Sequence, residues 1–183
     1  MSITCSVYIA ASVDGFIARL DGDIDWLHKR EYASADKIGL NYGEFIDTVD
    51  AVVMGRDSFE KALTFENWPY EHTPVVVLSR RKVGIPDHLH RTVKIENGAP
   101  TELVSRLAFE GKKHLYIDGG VTIQRFLQAR LINEITITQI PVLLGSGIPL
   151  FGSIGLEVSL SHLETTSSRN GFVQIRYQVT RGG

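Results

Sequence analysis

Cysteine is nearly absent. Cys5 stands alone in a chain of 183 residues, which excludes an internal disulfide and any thiolate metal cluster. Its place in an apolar, β-like run reads as a small buried core residue, and a reducing, cytoplasmic setting fits that usage best. Long apolar runs are also missing: none approaches the ~18 residues of a membrane span. The start Met1-Ser2-Ile3-Thr4-Cys5-Ser6 has no basic region followed by a long apolar one. The expectation is a protein neither secreted nor inserted. Excess charge of one sign is lacking too, since 19 Lys plus Arg against 21 Asp plus Glu leave a net −2. That balance gives no electrostatic reason for a nucleic acid or an anionic membrane as partner.

Metal-ligand spacing is absent as well. His28, His72, His88, His90, His114 and His162 include no His-x-x-x-His pair. Asp21, Asp23 and Asp25 alternate in a loop without the bidentate Glu at the spacing a calcium loop needs. No metal is expected. There is no internal repeat, low-complexity tract or linker, and at 43% hydrophobic the chain suits a single domain over 1–183 with a sizeable core.

What is present begins at Asp50-Ala51-Val52-Val53-Met54-Gly55-Arg56-Asp57-Ser58. A short buried strand runs there through a glycine into a helix whose first turn carries an arginine and a serine. A helix start offers free backbone N–H groups and a positive dipole end, and a guanidinium adds a fixed charge, all suited to a phosphate. Arg56 faces that dipole unfavourably, so a surface salt bridge explains it poorly and a phosphate partner explains it better. Pro74 to Arg80 is a second apolar strand ending in Ser79-Arg80. Leu115-Tyr116-Ile117-Asp118-Gly119-Gly120 is a third, ahead of a helix over 121–130. Strands that each deliver polar or glycine residues at their C-terminal ends describe an open α/β sheet with a ligand across that edge.

Around these, Ile3 to Ala11 reads as the first strand, ending at the turn signal Ser12-Val13-Asp14-Gly15, where Asp14 fixes the turn. Leu20 to Leu27 is too polar and too rich in Asp and Gly for a helix. Helical spacing runs from Ser34, a candidate N-cap, through Ile38, Tyr42, Phe45 and Ile46 to Val49. A strand near Thr92 to Ile95, a helix from Pro100 to Gly111 and a strand over 133–140 follow. An apolar, glycine-rich loop then covers 141–152. Leu156 to Thr165 and Phe172 to Thr180 alternate across Ser168-Arg169-Asn170-Gly171 as a β-hairpin. Trp26 and Trp68 either cover the site or pack beneath loops. The pattern is an α/β body with a mostly parallel sheet and a C-terminal antiparallel hairpin.

Taken together, the chain resembles the dihydrofolate reductase fold, a three-layer α/β/α architecture. It resembles most the C-terminal reductase domain of the bifunctional riboflavin-biosynthesis deaminase-reductase. The likeness is carried by Ala10-Ala11-Ser12-Val13-Asp14-Gly15-Phe16-Ile17-Ala18, Met54-Gly55-Arg56, Leu78-Ser79-Arg80, Ile117-Asp118-Gly119-Gly120 and Ile140 to Gly152. It implies that Arg56 and Arg80, with Ser58 and Ser79, hold the 2′-phosphate of NADPH after Gly55. It further implies that Gly119 and Gly120 admit the pyrophosphate and that Ala10 and Ile17 flank the nicotinamide. Thr138 matches a polar position beside the substrate.

Two departures point away from folate. The resemblance implies that Asn41 and Phe45 lie on the substrate side; where dihydrofolate reductases hold the pterin with a carboxylate, the matching position here is Asn41, counted back from Phe45, and an amide forms no charged pair. The family's third glycine is also missing: Asp118 stands before Gly119-Gly120, and the riboflavin-type reductases similarly carry an acidic residue there. Asp118 either caps the helix that follows or touches substrate or nicotinamide; both stay open.

The resemblance implies hydride transfer from NADPH to a C=N or C=O carbon, with a proton from Asp118, Thr138 or water. By that likeness the substrate is 5-amino-6-(5-phosphoribosylamino)uracil, and the chain is the reductase half alone, having no His/Cys zinc set. A nucleotide-binding module without turnover and a reductase of another pterin-like substrate are the alternatives. The antiparallel hairpin and the apolar loop give reason to expect a homodimer.

Overall fold

A computed structural model describes residues 3–32 and 39–180. In chain order the strands are β1 (Thr4–Ser12), β2 (Phe16–Ala18), β3 (Ala51–Gly55), β4 (Val75–Leu78), β5 (Val93–Glu96), β6 (His114–Asp118), β7 (Glu134–Ile140), β8 (Ile148–Pro149), β9 (Ser159–Ser167) and β10 (Val173–Thr180). The helices are α1 (Tyr42–Ile46), α2 (Arg56–Ala62), α3 (Pro100–Phe109) and α4 (Gly120–Gln128). Eight strands form one sheet in the order β5-β4-β3-β6-β1-β7-β10-β9. Every pairing from β5 to β7 is parallel, and β10 joins β7 and β9 antiparallel. This is the dihydrofolate reductase-like three-layer α/β/α architecture.

The uninterrupted apolar runs of the central strands follow from burial on both faces. Side chains alternate along a strand, so Val7, Val53, Val76 and Ile117 face Leu103 and Leu107 of α3 and Ile123 and Phe126 of α4. Val52, Met54, Val75, Val77 and Tyr116 face the other way, onto Phe45 of α1 and Phe59 and Ala62 of α2. Cys5 lies in the first of these layers, where burial pushes its thiol up to about 12, so it stays protonated.

Several expected boundaries move. The helix read from Ser34 to Val49 is α1 alone among the described residues; Ser34 and Ile38 lie outside them. Gly39, at φ +44, is not helical, and Asn41 starts the helix by a capping box: its side chain accepts from Glu44 N at 2.9 Å and Glu44 accepts from Asn41 N at 3.3 Å. The polar stretch 20–27 ends in a single 3-10 turn, Asp25–Leu27, closed by Leu27 N to Ile24 O at 2.9 Å. The first hairpin strand starts three residues and stops two residues later than its alternation implied, while the second starts one residue later and reaches Thr180 as expected; Gly171 N bonds Ser168 O at 3.0 Å and sets the turn. The 141–152 loop contributes β8, which pairs with β2. No helix among the described residues is long and apolar enough to cross a membrane, and no group of three His, Cys, Asp or Glu there is placed to hold a metal.

Asp50 locks the start of β3 to β6. One carboxylate oxygen accepts from Lys113 N at 2.7 Å and His114 N at 2.9 Å, which holds its pKa below the usual carboxylate value. A depressed folded pKa contributes stability above the unfolded value and loses it as pH falls through the folded one. Asp50→Ala is therefore expected to melt lower than wild type at neutral pH, with the gap shrinking in strong acid. Paired thermal melts across pH check this, and a gap that widens on acidification contradicts it.

Candidate active site

Strands β3 and β6 end side by side, Met54 opposite Asp118. Their continuations then part: Gly55 leads into α2 on one face of the sheet, and Gly119 leads into α4 on the other. A crevice opens where successive connections leave in opposite directions. It forms a cleft of about 660 Å³ across the strand ends. Among the expected residues, Ala10, Ile17, Gly55, Arg56, Ser58, Ser79, Arg80, Asp118, Gly119 and Gly120 all line it.

One wall is apolar, built from Ile9, Ala10, Ile17, Ala18, Ile24, Leu27 and Ile148. It is held by a carboxylate at its rim. Asp14 accepts from Ser12 Oγ at 2.5 Å, Leu144 N at 3.1 Å and Gly145 N at 2.7 Å, so it ties the 141–152 loop to the turn after β1 as well as fixing that turn. These donors keep its pKa below the ordinary value, the Ser12 bond most of all. The opposite end is cationic, with Arg56, Lys61, Arg80 and Arg81.

Arg56 does form ion pairs, contrary to the sequence argument. Its guanidinium lies 3.0 Å from Asp57 Oδ1 and 3.6 Å from Glu60 Oε1. Both carboxylates lie on the same short helix within reach, and the dipole argument had not weighed them. Such exposed pairs are worth little, so Arg56 remains open to exchange of partner.

Asp118 is half-buried on the cleft floor. Its carboxyl accepts from Tyr116 Oη at 3.3 Å, and the Tyr70 hydroxyl and the Gly119 N–H also favour its ionised form. Burial outweighs these donors and raises its pKa above the ordinary carboxylate value. The N-cap of α4 is Gly119, with no side-chain cap, so Asp118 is not that helix's cap.

Three expected residues are not among those described as lining the cleft. Asn41 caps α1. Phe45 is buried, stacked on Tyr8 at 4.8 Å and edge-on to Tyr116. Thr138, opposite Ala10 on β7, accepts from Gln174 Nε2 at 3.3 Å. Trp26 packs with Tyr32 and Ile140, and Trp68 lies edge-on to Phe59 and Tyr70; neither lines the cleft.

Sequence reasoning did not single out Tyr8, Tyr70 or Tyr116. It also missed Asn97, Gly98 and Arg125. The Asn97-Gly98 turn signal directly after β5 was available to find part of this set, being one more strand end.

The two glycines are needed for close approach. Gly119 has φ +85, and a Cβ there would collide with Ser58 Oγ; at Gly120 a Cβ would stand 2.8 Å from Pro149 O. Gly15 has a similar φ, +86, in open space. Gly119→Ala is expected to destabilise by about 1–3 kcal/mol of backbone strain plus the Ser58 clash. Adding Ser58→Ala should bring the loss down to that of Gly15→Ala. Thermal unfolding of these variants decides it, and equal losses for both single glycine variants would deny the clash.

With this geometry established, comparison with known proteins gives consistent results. The family model described as RibD C-terminal domain matches residues 4–174. The uncharacterized protein YwjB of Bacillus subtilis (strain 168) is 37% identical over 175 residues, covering 93% of this chain and 95% of its own. A crystal structure of a Shewanella sp. PV-4 protein assigned to riboflavin biosynthesis has TM-score 0.88 and 36% identity, covering 98% of this chain and all of that one. Dihydrofolate reductase from Enterococcus faecalis, solved with NADP(H) and RAB-propyl, has TM-score 0.66 at 16% identity, covering 97% of each chain; this is a likeness of fold.

Proposed function

The chain belongs to the RibD C-terminal domain family, and from that premise we propose that it is an NADPH-dependent reductase of a small heterocyclic or ribosylamine substrate of the 5-amino-6-(5-phosphoribosylamino)uracil type. The observation that carries this reading is one cleft that joins a cationic end to a carboxyl of raised pKa across a topological switch point.

The residues present fit the dinucleotide. At Gly119 and Gly120 the backbone stands so close to Ser58 and Pro149 that no side chain fits, which leaves main chain to meet a pyrophosphate. Arg56 and Arg80, with Ser58 and Ser79, would hold the 2′-phosphate, and Lys61 and Arg81 add charge beside them. Ala10 and Ile17 would flank the nicotinamide, where small and apolar groups leave room for a substrate. When bound, the reduced nicotinamide supplies the hydride. The protein then contributes position, an apolar wall that limits water, and a proton held at the Asp118 carboxyl.

Arg56→Ala tests the reading. A hydrogen bond to a charged group contributes roughly 1.5–3 kcal/mol, so NADPH should bind about tenfold to a hundredfold more weakly while NADH, which lacks the phosphate, is little changed. Fluorescence titration of both nucleotides reads this. Equal losses for both would mean that Arg56 supports the fold, and no loss for either would put the phosphate elsewhere.

A homodimer belongs to the same proposal. Strand β9 is an edge whose residues are exposed along nearly its whole length, Leu160 and Leu163 among them, and exposed edges are commonly paired or covered. Sedimentation should give a dimer at tens of micromolar, and a monomer there removes the claim.

A further inference from the structure

Two asparagines of this chain are followed by glycine, Asn97 and Asn170. Such a pair is chemically labile, because a glycine N–H has no side chain beside it to hinder attack on the amide carbon of the residue before. What decides the outcome is how each pair is held.

Asn170 is locked. Its side-chain oxygen accepts from Ser168 Oγ and from Phe172 N at 3.2 Å, and its Nδ2 donates to Tyr32 O at 3.5 Å. Gly171 N, the atom that would attack, is bonded to Ser168 O at 3.0 Å. Asn97 is the opposite case. It is exposed directly after β5, and among the described residues neither its side chain nor Gly98 N has a hydrogen-bond partner. The contact that holds the turn is on the far side of Gly98, whose carbonyl accepts from Arg125 Nη2 at 3.2 Å. Gly98 has φ +132, which other residues rarely adopt, so the turn itself demands the glycine that makes the pair labile.

We propose that Asn97 is a modification site: it deamidates spontaneously, ahead of Asn170, and the carboxylate so formed weakens the cationic end of the cleft. The modification needs nothing but water; its effect on nucleotide rests on the reading of that end as the 2′-phosphate site. In the first step Gly98 N bonds to Asn97 Cγ and the Cγ–Nδ2 bond breaks. The Gly98 amide proton goes to the departing nitrogen, which leaves as ammonia. In the second step water adds to one carbonyl of the resulting ring, the bond from that carbon to the ring nitrogen breaks, and the nitrogen regains a proton. The product is an aspartate or an isoaspartate at position 97, with no change of oxidation state.

The neighbours give this change its consequence. Ser79 N bonds Glu96 O at 2.9 Å, which sets the Ser79-Arg80 turn against the residue before Asn97. Asn97, Arg80, Arg81 and Arg125 all line the cleft. Glu96 itself is paired with Arg106 at 2.9 Å, so its charge is already matched. A new carboxylate at position 97 therefore meets cations that serve a phosphate, and it opposes a second negative charge arriving there. An isoaspartate also adds a methylene to the main chain ahead of Gly98 and displaces the carbonyl that Arg125 holds.

The test ages the wild-type protein in warm neutral buffer without nucleotide and follows its peptides by mass spectrometry, which reads the exchange of amide for carboxyl. Conversion at Asn97 should outrun that at Asn170 by about tenfold or more, since the bonds that hold Asn170 and Gly171 must first break. Asn97→Asp should bind NADPH about twofold to fivefold more weakly than wild type, with NADH little changed. Aged wild type should lose NADPH affinity in proportion to its conversion. Asn97→Gln, whose longer side chain closes a ring far more slowly, should keep its own starting affinity through the same treatment.

Conversion at Asn97 that is no faster than at Asn170 overturns the modification site. Unchanged NADPH affinity in Asn97→Asp, or equal losses for NADPH and NADH, overturns its effect on the cleft. Failure of the fresh wild type to bind NADPH would remove the reductase reading while the peptide map still decides whether Asn97 deamidates, so the two failures are distinct.

Discussion

The structure depends on one parting of the chain. β3 and β6 lie hydrogen-bonded and in register up to Met54 and Asp118, and then α2 and α4 leave to opposite faces of the sheet. The cleft is the space that this divergence creates. Its depth is set by how closely the backbone after β6 can pass Ser58 and Pro149, a passage that only glycine allows at residues 119 and 120. Every functional group discussed hangs on an element that starts or ends at this point, or packs directly against one.

The walls are held in place by polar groups lying outside the chemistry. Gln174, 1% exposed on β10, accepts from Leu40 N at 2.9 Å and donates to Leu40 O at 2.9 Å and to Thr138 Oγ1 at 3.3 Å, with Tyr8 Oη 3.5 Å from the same nitrogen. A buried amide so fully partnered is well satisfied, and it fixes the chain ahead of α1 against the sheet. Gln124 of α4 does the same for the far loop, donating to Pro149 O at 3.3 Å and Leu150 O at 3.2 Å. Together with Asp14, these bonds anchor Leu40 and the 141–152 loop to the rest of the fold.

Asp118 sets function against stability. Its folded pKa is raised, so its contribution to stability is most favourable below the unfolded value and worsens as pH rises through the folded one. Asp50 runs in the opposite sense, its contribution present above the unfolded value. One carboxylate is hydrogen-bonded at the N-terminal edge of the sheet, where it stabilises; the other lies at the C-terminal edge, where burial keeps it protonated to higher pH. Such a cost at a site is a common feature of functional residues.

Much of the fold was legible because its signals are local. Apolar runs at 51–55, 75–78 and 115–117, each closed by glycine, serine or aspartate, are the strands and strand ends found in the structure. The alternation on either side of Ser168 to Gly171 likewise announced the hairpin. Ten of the expected cofactor and catalytic positions line one cleft, and most of them stand at a strand end or in the first turn of the helix that follows, where sequence marks them.

What the sequence left open depends on contacts between distant segments. Arg56 is the exception, because its partners Asp57 and Glu60 stand one and four residues along its own helix, a local spacing that the dipole argument did not weigh. Asn41 looked like a substrate residue, and only the helix it caps gives it another task. Tyr70 and Tyr116 look like any core aromatic in the sequence, because a phenol hydroxyl gains meaning only from what lies within hydrogen-bonding reach. Residue order and periodicity determined the strands, their glycine-marked ends and the anion-seeking charge. Tertiary structure alone decided which hydroxyls surround Asp118 and how deeply its carboxyl is buried, since both depend on segments brought together from β6, α1 and the loop after α2.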